Sequence, residues 1–185
     1  NPIPVSNAVI VKSRIAASSD DAEENTSTGK VKPNSSDLEL GNQDQKNQLV
    51  GMRFNGLNIP QGATITNASI HFQADETHSE ATSLMIEGEA TDNALTFTNA
   101  NSNISTRALT GATIDWAPAP WTTEGEAGAA QQTPNIAPII QEIVERPGWS
   151  SGNALVVIIS GSGRRNAESF NGDPAGAPVL HVEYQ

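Results

Sequence analysis

The chain has 185 residues, which is enough for one domain with a substantial core. Its formal net charge of −11 argues against nucleic acid as a partner, since that affinity depends on Lys and Arg that neutralise phosphates, and against attachment to an anionic membrane. The sequence contains no cysteine, which excludes disulfides and thiolate metal sites. No apolar run approaches the roughly 20 residues of a membrane span.

The first residues indicate the end of a linker, because Pro2 and Pro4 interrupt regular strand pairing. We therefore expect residues 1–6 to be linker and residues 7–185 to form a single module, excised from a longer secreted protein. The apolar run Ala8–Lys12 predicts the first strand.

An acidic stretch follows the first strand and includes Asp20, Asp21 and Glu24. Charge runs are usually solvated, so one interpretation is an exposed acidic loop. The alternative is a structural Ca²⁺, which is bound by carboxylate and carbonyl oxygens. The candidate ligands for Ca²⁺ are Asp20, Asp21, Glu24 and, from a loop near the C-terminus, Asp173.

Alternating apolar and polar residues predict a hairpin made of Asp37–Leu40 and Leu49–Phe54. If their apolar side chains share the inner face, then Asp37, Glu39 and Arg53 share the outer face.

The rest of the chain predicts more strands and one helix. Strands are expected at Thr64–Ala74, Ser83–Ala90, Thr113–Trp116, Ala154–Ser160 and Val179–Tyr184. Isoleucines at helical spacing predict a helix over Ile136–Val144, with Asn135 as its N-cap. A polar loop, Gly161–Pro174, joins the last two strands. This pattern indicates an all-β protein, a jelly-roll β-sandwich of two antiparallel sheets with one short helix.

No motif of a known catalytic or phosphate-binding class occurs, and the three histidines lack metal-ligand spacing. We therefore expect no enzymatic activity. Arg164 and Arg165 lie on the C-terminal loop and either pair with protein carboxylates or bind a ligand, and Arg53 has the same two alternatives. Trp121 lies on a proline-rich loop and is either a sugar-stacking platform or a structural cap, whereas Trp149 is expected in the core.

Several segments occur in the order found in one family of secreted bacterial domains. They are Arg53-Phe54, Ile59–Ile65, Ala68–Phe72, Gly152–Ser160, Arg165–Phe170 and Ala177–Tyr184. In these segments the chain resembles the DNRLRE-type jelly-roll modules, which are related to carbohydrate-binding module family 96.

The resemblance implies a non-catalytic, often calcium-stabilised module, covalently linked to a catalytic domain that degrades algal or other marine polysaccharides. Some relatives bind alginate through basic residues, which makes Arg53, Arg164 and Arg165 the positions of interest here. Trp121 and Glu39 complete the expected ligand-binding set. The expected ligand is alginate or an agar- or porphyran-type galactan, and we expect a monomer. The alternative is a structural or adhesion module of a bacterial surface protein without sugar specificity.

Overall fold

The structure, a computed structural model, describes residues 8–43 and 46–185, so the predicted linker at residues 1–6 lies outside the described residues. Eleven strands and one α-helix occur in the described part of the chain. The first six strands are β1 (Val9–Arg14), β2 (Asp21–Asn25), β3 (Val31–Lys32), β4 (Asp37–Gln43), β5 (Lys46–Phe54) and β6 (Ile65–His71). They are followed by β7 (Ser83–Glu89), β8 (Leu109–Trp116), the helix α1 (Ala137–Val144), β9 (Leu155–Ser162), β10 (Arg164–Glu168) and β11 (Val179–Tyr184). None of the helical segments in this part of the chain has the length and apolar character needed to cross a membrane.

The strands form two antiparallel sheets. The smaller sheet has the order β1–β11–β6, and the larger has the order β10–β4–β5–β9–β7–β8, with β2 beside β5 and β3 beside β2. One apolar core joins side chains of both sheets, such as Leu180 and Ile70 of the smaller sheet and Met52 and Val157 of the larger. The predicted β-sandwich with one short helix is therefore confirmed. Its jelly-roll connectivity stays a prediction.

The central strand β9 is buried on both faces, as its unbroken apolar run predicts. Leu155, Val157 and Ile159 belong to the main core. Val156 and Ile158 point the other way and belong to a second apolar cluster. Residues 92–108, a mostly polar segment without a strand, cover this outer face of the larger sheet.

The predicted helix is confirmed as α1, and its isoleucines are buried in the main core. Asn135 stands one residue before the N-cap position, which is occupied by Ile136. Its side-chain oxygen accepts hydrogen bonds from the backbone N–H groups of Ala137 (2.9 Å) and Ala68 (3.0 Å). Asn135 therefore joins the start of the helix to β6.

The predicted hairpin forms only at its tip, where Asn42 pairs with Asn47. The rest of β4 turns away from β5 and pairs with β10. At the turn, Gly41 has φ +102° and passes so close to Gly163 that a Cβ atom would lie 2.5 Å from its carbonyl oxygen. Asp37 and Glu39 therefore lie on the β4–β10 ribbon, and the prediction that they share a face with Arg53 of β5 is wrong.

Two segments predicted as loops are strands. The acidic stretch contains β2, which pairs with β5 along its whole length, and the C-terminal loop contains β10. Both are largely buried although most of their side chains are polar. The interpretation of the acidic stretch as a solvated loop is therefore wrong.

Candidate functional site

Arg165, a predicted ligand-binding residue, is only 1 % exposed. Its guanidinium donates five hydrogen bonds of 2.6–3.1 Å. The acceptors are the carbonyl oxygens of Glu80, Pro118, Ala119 and Arg164 and the hydroxyl of Thr82. None of these acceptors is a carboxylate, so Arg165 fits neither predicted alternative. It joins residues 80–82 and 118–119 to β10.

Trp121 is 0 % exposed, which corrects its predicted role as a stacking platform. Its indole N–H donates to the carbonyl oxygen of Ala130 (2.8 Å), and its ring packs beside Phe72. Trp149 is also buried, as predicted, and donates to the carbonyl oxygen of Ile59 (2.9 Å). Trp116 is 6 % exposed, so no tryptophan presents a face to a sugar ring.

Arg53 is held within the protein. Its Nη1 lies 2.7 Å from Asp20 Oδ1, and its Nε donates to the carbonyl oxygen of Ala94 (2.9 Å). The ion-pair alternative therefore describes Arg53, which fastens the start of the 92–108 segment to β5.

Arg164 is the most exposed of the predicted ligand-binding residues, with 29 % of its side chain accessible. Its Nη2 donates to Glu76 Oε2 (3.1 Å) and its Nε to Asn166 Oδ1 (2.8 Å). It therefore faces a protein carboxylate on a surface that a ligand can reach.

The four predicted metal ligands do not meet. Asp20 and Glu24 lie on one face of the β2 segment and Asp21 on the other, because strand side chains alternate. Glu24 Oε2 accepts the backbone N–H groups of Ile104 (2.8 Å) and Ser105 (2.9 Å). Asp20, Asp21 and Glu24 therefore cannot bind one ion.

The other two ligands also bond elsewhere. Asp21 accepts the N–H of Phe170 (2.8 Å), and Asp173 accepts the N–H of Ala175 (2.9 Å) within its own turn. Among the described residues, no group of three or more His, Cys, Asp or Glu side chains is arranged to hold a metal ion. The predicted set of Asp20, Asp21, Glu24 and Asp173 is therefore corrected.

A different acidic group, which we call the carboxylate cluster, consists of Glu23, Asp37 and Glu39. The backbone N–H of Glu39 donates to Glu23 Oε1 (2.7 Å). Burial, together with the adjacent Glu23, raises the pKa of Glu39 to about 9 and also raises the pKa of Asp37. At 2 % exposure, Glu39 is not accessible to a glycan, which corrects its predicted role. The alternation of Asp37 and Glu39 predicts their shared face, but nothing in the local sequence predicts their contact with β2.

An open groove of about 600 Å³, which we call the edge groove, runs along β3 at the edge of the larger sheet. Its uncharged polar lining residues are Ser18, Ser19, Asn34, Thr98 and Asn99. Lys30 and Lys32 are exposed beside it. Sequence reasoning missed this groove because its residues are ordinary loop residues from three separate segments.

The walls of the edge groove are fixed by backbone hydrogen bonds. The N–H of Phe97 donates to the carbonyl oxygen of Ser19 (2.8 Å), and the N–H of Ser102 donates to that of Gly29 (2.7 Å). The bonds of Glu24 and Arg53 described above hold the same 92–108 segment from below. Glu24, predicted as a metal ligand, and Arg53, predicted as a glycan-binding residue, thus support the wall of the edge groove.

No protein-family model matches this chain. A search of curated proteins finds no match either. A function is therefore inferred from the geometry of the edge groove.

Proposed function

We propose that this chain is a non-catalytic carbohydrate-binding module, which binds an algal or other marine polysaccharide in the edge groove. The observation that carries the proposal is the lining of this groove, which is rich in residues that bear hydroxyl and amide groups. These groups both donate and accept hydrogen bonds, as the hydroxyl groups of a sugar do. The volume of the groove lies within the usual range for ligand sites.

The fixed walls of the groove favour binding, because little conformational entropy is lost when a preformed site binds its ligand. The resemblance to the DNRLRE-type modules supports the same class of function. In this proposal the module belongs to a secreted enzyme and acts as a monomer. It holds a linked catalytic domain near its polysaccharide and so raises the local substrate concentration.

Two kinds of glycan fit this proposal. An agar- or porphyran-type galactan would bind mainly through hydrogen bonds to Asn34, Thr98 and Asn99. Alginate would in addition pair its carboxylates with Lys30, which is exposed at the groove.

A second candidate is a structural or adhesion module without sugar specificity. It is favoured by the burial of all three tryptophans, because aromatic faces are common stacking surfaces for sugar rings. In that case the edge groove would be an ordinary surface feature between loops.

Affinity electrophoresis of the chain in gels containing alginate, agarose, porphyran, carrageenan or cellulose separates the two candidates. We expect retardation by alginate or by one of the galactans. Asn99→Ala should weaken this binding by about tenfold, the effect of losing one good hydrogen bond. Asn101→Ala is the matched control, since Asn101 is exposed on the same segment but does not line the groove.

Retardation by none of these polysaccharides would favour the structural module. Equal effects of Asn99→Ala and Asn101→Ala would place the glycan outside the edge groove.

A further inference from the structure

Two glutamates of the carboxylate cluster connect strands that have different pairing partners. Glu23 lies on β2, which pairs with β3 and β5, whereas the part of β4 that contains Glu39 pairs with β10. The backbone N–H of Glu39 donates to Glu23 Oε1 (2.7 Å). Both residues are almost fully buried, with exposures of 1 % for Glu23 and 2 % for Glu39. The two carboxyl groups therefore meet in the interior, at the contact between β2 and β4.

Two oxygen atoms of this pair, Oε2 of Glu23 and Oε2 of Glu39, have no hydrogen-bond donor among the described residues. The two carboxyl groups lie within hydrogen-bonding reach of each other. Two ionised carboxylates cannot bond to each other, because both only accept. One proton removes this difficulty, because a protonated carboxyl group donates a hydrogen bond, and buried polar groups nearly always have a partner.

The surroundings of the pair favour Glu39 as the residue that holds the proton. Glu23 is favoured as the charged partner, because it accepts the backbone N–H of Glu39 and lies opposite Lys32 in the β2–β3 pairing. Glu39 lies opposite the uncharged Asn166 in the β4–β10 ladder. Burial, followed by the hydrogen bond to Glu23 and its charge, raises the pKa of Glu39 to about 9. Asp37 adds to this rise, and Lys32 opposes it.

We propose that Glu23 and Glu39 share one proton in the folded chain at neutral pH, and that loss of this proton in alkaline solution weakens the contact between β2 and β4. The proton passes from Glu39 to the solvent and leaves two buried carboxylates facing each other. These like charges repel, and neither group can donate to the other. The pair is thus a pH-sensitive contact between β2 and the β4–β10 ribbon, and it is independent of whether the edge groove binds a glycan.

Other acids around the pair titrate at lower pH. Asp21, on the same face of β2 as Glu23, has a pKa of about 7, raised mainly by burial. Glu168, opposite Asp37 in the β4–β10 ladder, also has a pKa of about 7, raised by burial and neighbouring acids. On β5, the residue opposite Glu23 is the uncharged Val50. The other charged groups near the ribbon are Asp75, Glu76 and Arg164. A measurement above pH 7.5 therefore separates Glu39 from Asp21 and Glu168.

A folded chain that holds this additional proton loses stability as the pH rises. The unfolded chain releases the proton of Glu39 near the ordinary pKa of 4.5, whereas the folded chain keeps it up to about pH 9. Between these two values the folded chain binds one more proton than the unfolded chain does. The unfolding equilibrium constant should therefore rise by nearly tenfold per pH unit in this range.

The test measures the melting temperature of the whole chain at pH 7.5 and at pH 8.5. The melting temperature of the wild type should fall by about 3–5 °C over this pH unit. In Glu39→Gln most of this fall should disappear, because the amide group donates to Glu23 at either pH. Glu87→Gln is the matched control and should keep the full fall, since Glu87 is a partly buried glutamate on β7 outside the cluster.

Carbon-13 NMR of the glutamate side-chain carboxyl groups follows the proton directly. The Glu39 signal should be that of a protonated carboxyl group at pH 7 and should titrate only in the alkaline range. Three results would overturn the proposal: a Glu39 side chain that is ionised at pH 7, an undiminished fall in Glu39→Gln, or an equal loss of the fall in Glu87→Gln. If Glu39→Gln does not fold, the NMR titration of the wild type still decides.

Discussion

At the scale of single residues, Arg165 shows how a charged side chain serves as a structural junction. Four of its five hydrogen bonds join β10 to two segments that are distant in the sequence, residues 80–82 and 118–119. Arginine suits this position because its planar fork carries five N–H donors. No other type of side chain has as many hydrogen-bond donors.

Arg165→Ala should lower the free energy of unfolding by about 3 kcal/mol, because four buried or partly buried carbonyl groups lose their donor. Arg164→Ala is the control on the neighbouring residue. Its side chain is 29 % exposed, so its ion pair with Glu76 is partly screened and the change should stay below about 1 kcal/mol. Urea denaturation followed by tryptophan fluorescence measures both. Similar losses in the two variants would contradict the structural role assigned to Arg165.

The identity of Arg165 indicates what its side chain is able to do but not where the chain places it. In the sequence it stands beside Arg164 in a polar segment, and both arginines are then equally good ligand-binding candidates. Their difference arises because strand alternation puts Arg165 on the core face with Ala167, and Arg164 on the opposite face with Asn166 and Glu168. That alternation was hidden because the inward residue is itself charged.

At the scale of elements, the 92–108 segment packs against the outer face of the larger sheet, although it contains no strand. Phe97 packs against Gly51 so closely that a Cβ atom there would lie 2.5 Å from the ring. The guanidinium of Arg107 lies over the same ring, 4.5 Å from its centroid. The segment therefore closes the second apolar cluster and at the same time forms one wall of the edge groove.

Phe97→Ala should lower the free energy of unfolding by about 3–5 kcal/mol, the usual cost of a large cavity in a core. It should also weaken glycan binding, because residues 98 and 99 lose their support. Leu95→Ala is the control, since Leu95 is 78 % exposed, and its effect should stay within about 0.5 kcal/mol. Equal stability of the two variants would show that the segment is not anchored through Phe97.

The elements that could be predicted are those whose apolar pattern is local. The strands around Met52, Ile70, Ile86 and Leu180 and the helix α1 have such a pattern, because one of their faces meets the main core. The strands β2 and β10 do not, because acids, amides and an arginine fill their buried positions. Those side chains are satisfied by partners far away in the sequence, such as Ile104 for Glu24, and no local pattern encodes such partners.

At the scale of the whole molecule, the net charge is −11, and most arginines form ion pairs with carboxylates of the protein. In the described chain, Arg53, Arg107, Arg146 and Arg164 each pair with an acid.

The fold class followed from the sequence because many strands contribute to it independently. The edge groove did not, because it exists only once residues 18–19, 30–34 and 97–99 come together.

This charge distribution predicts how salt affects glycan binding. A polyanion such as alginate is repelled by the overall negative field, which extends about 30 Å at 10 mM salt but only about 8 Å at 150 mM. Retention of the chain on alginate should therefore increase over this range, whereas retention on neutral agarose should stay constant because no charge is screened. Affinity electrophoresis in the two buffers measures both. The opposite result is that alginate binding weakens with salt and is lost in Lys30→Ala. Lys12→Ala, on the exposed edge of β1, is the control and should then keep its binding. This result would show that local pairing with Lys30 outweighs the field of the whole molecule.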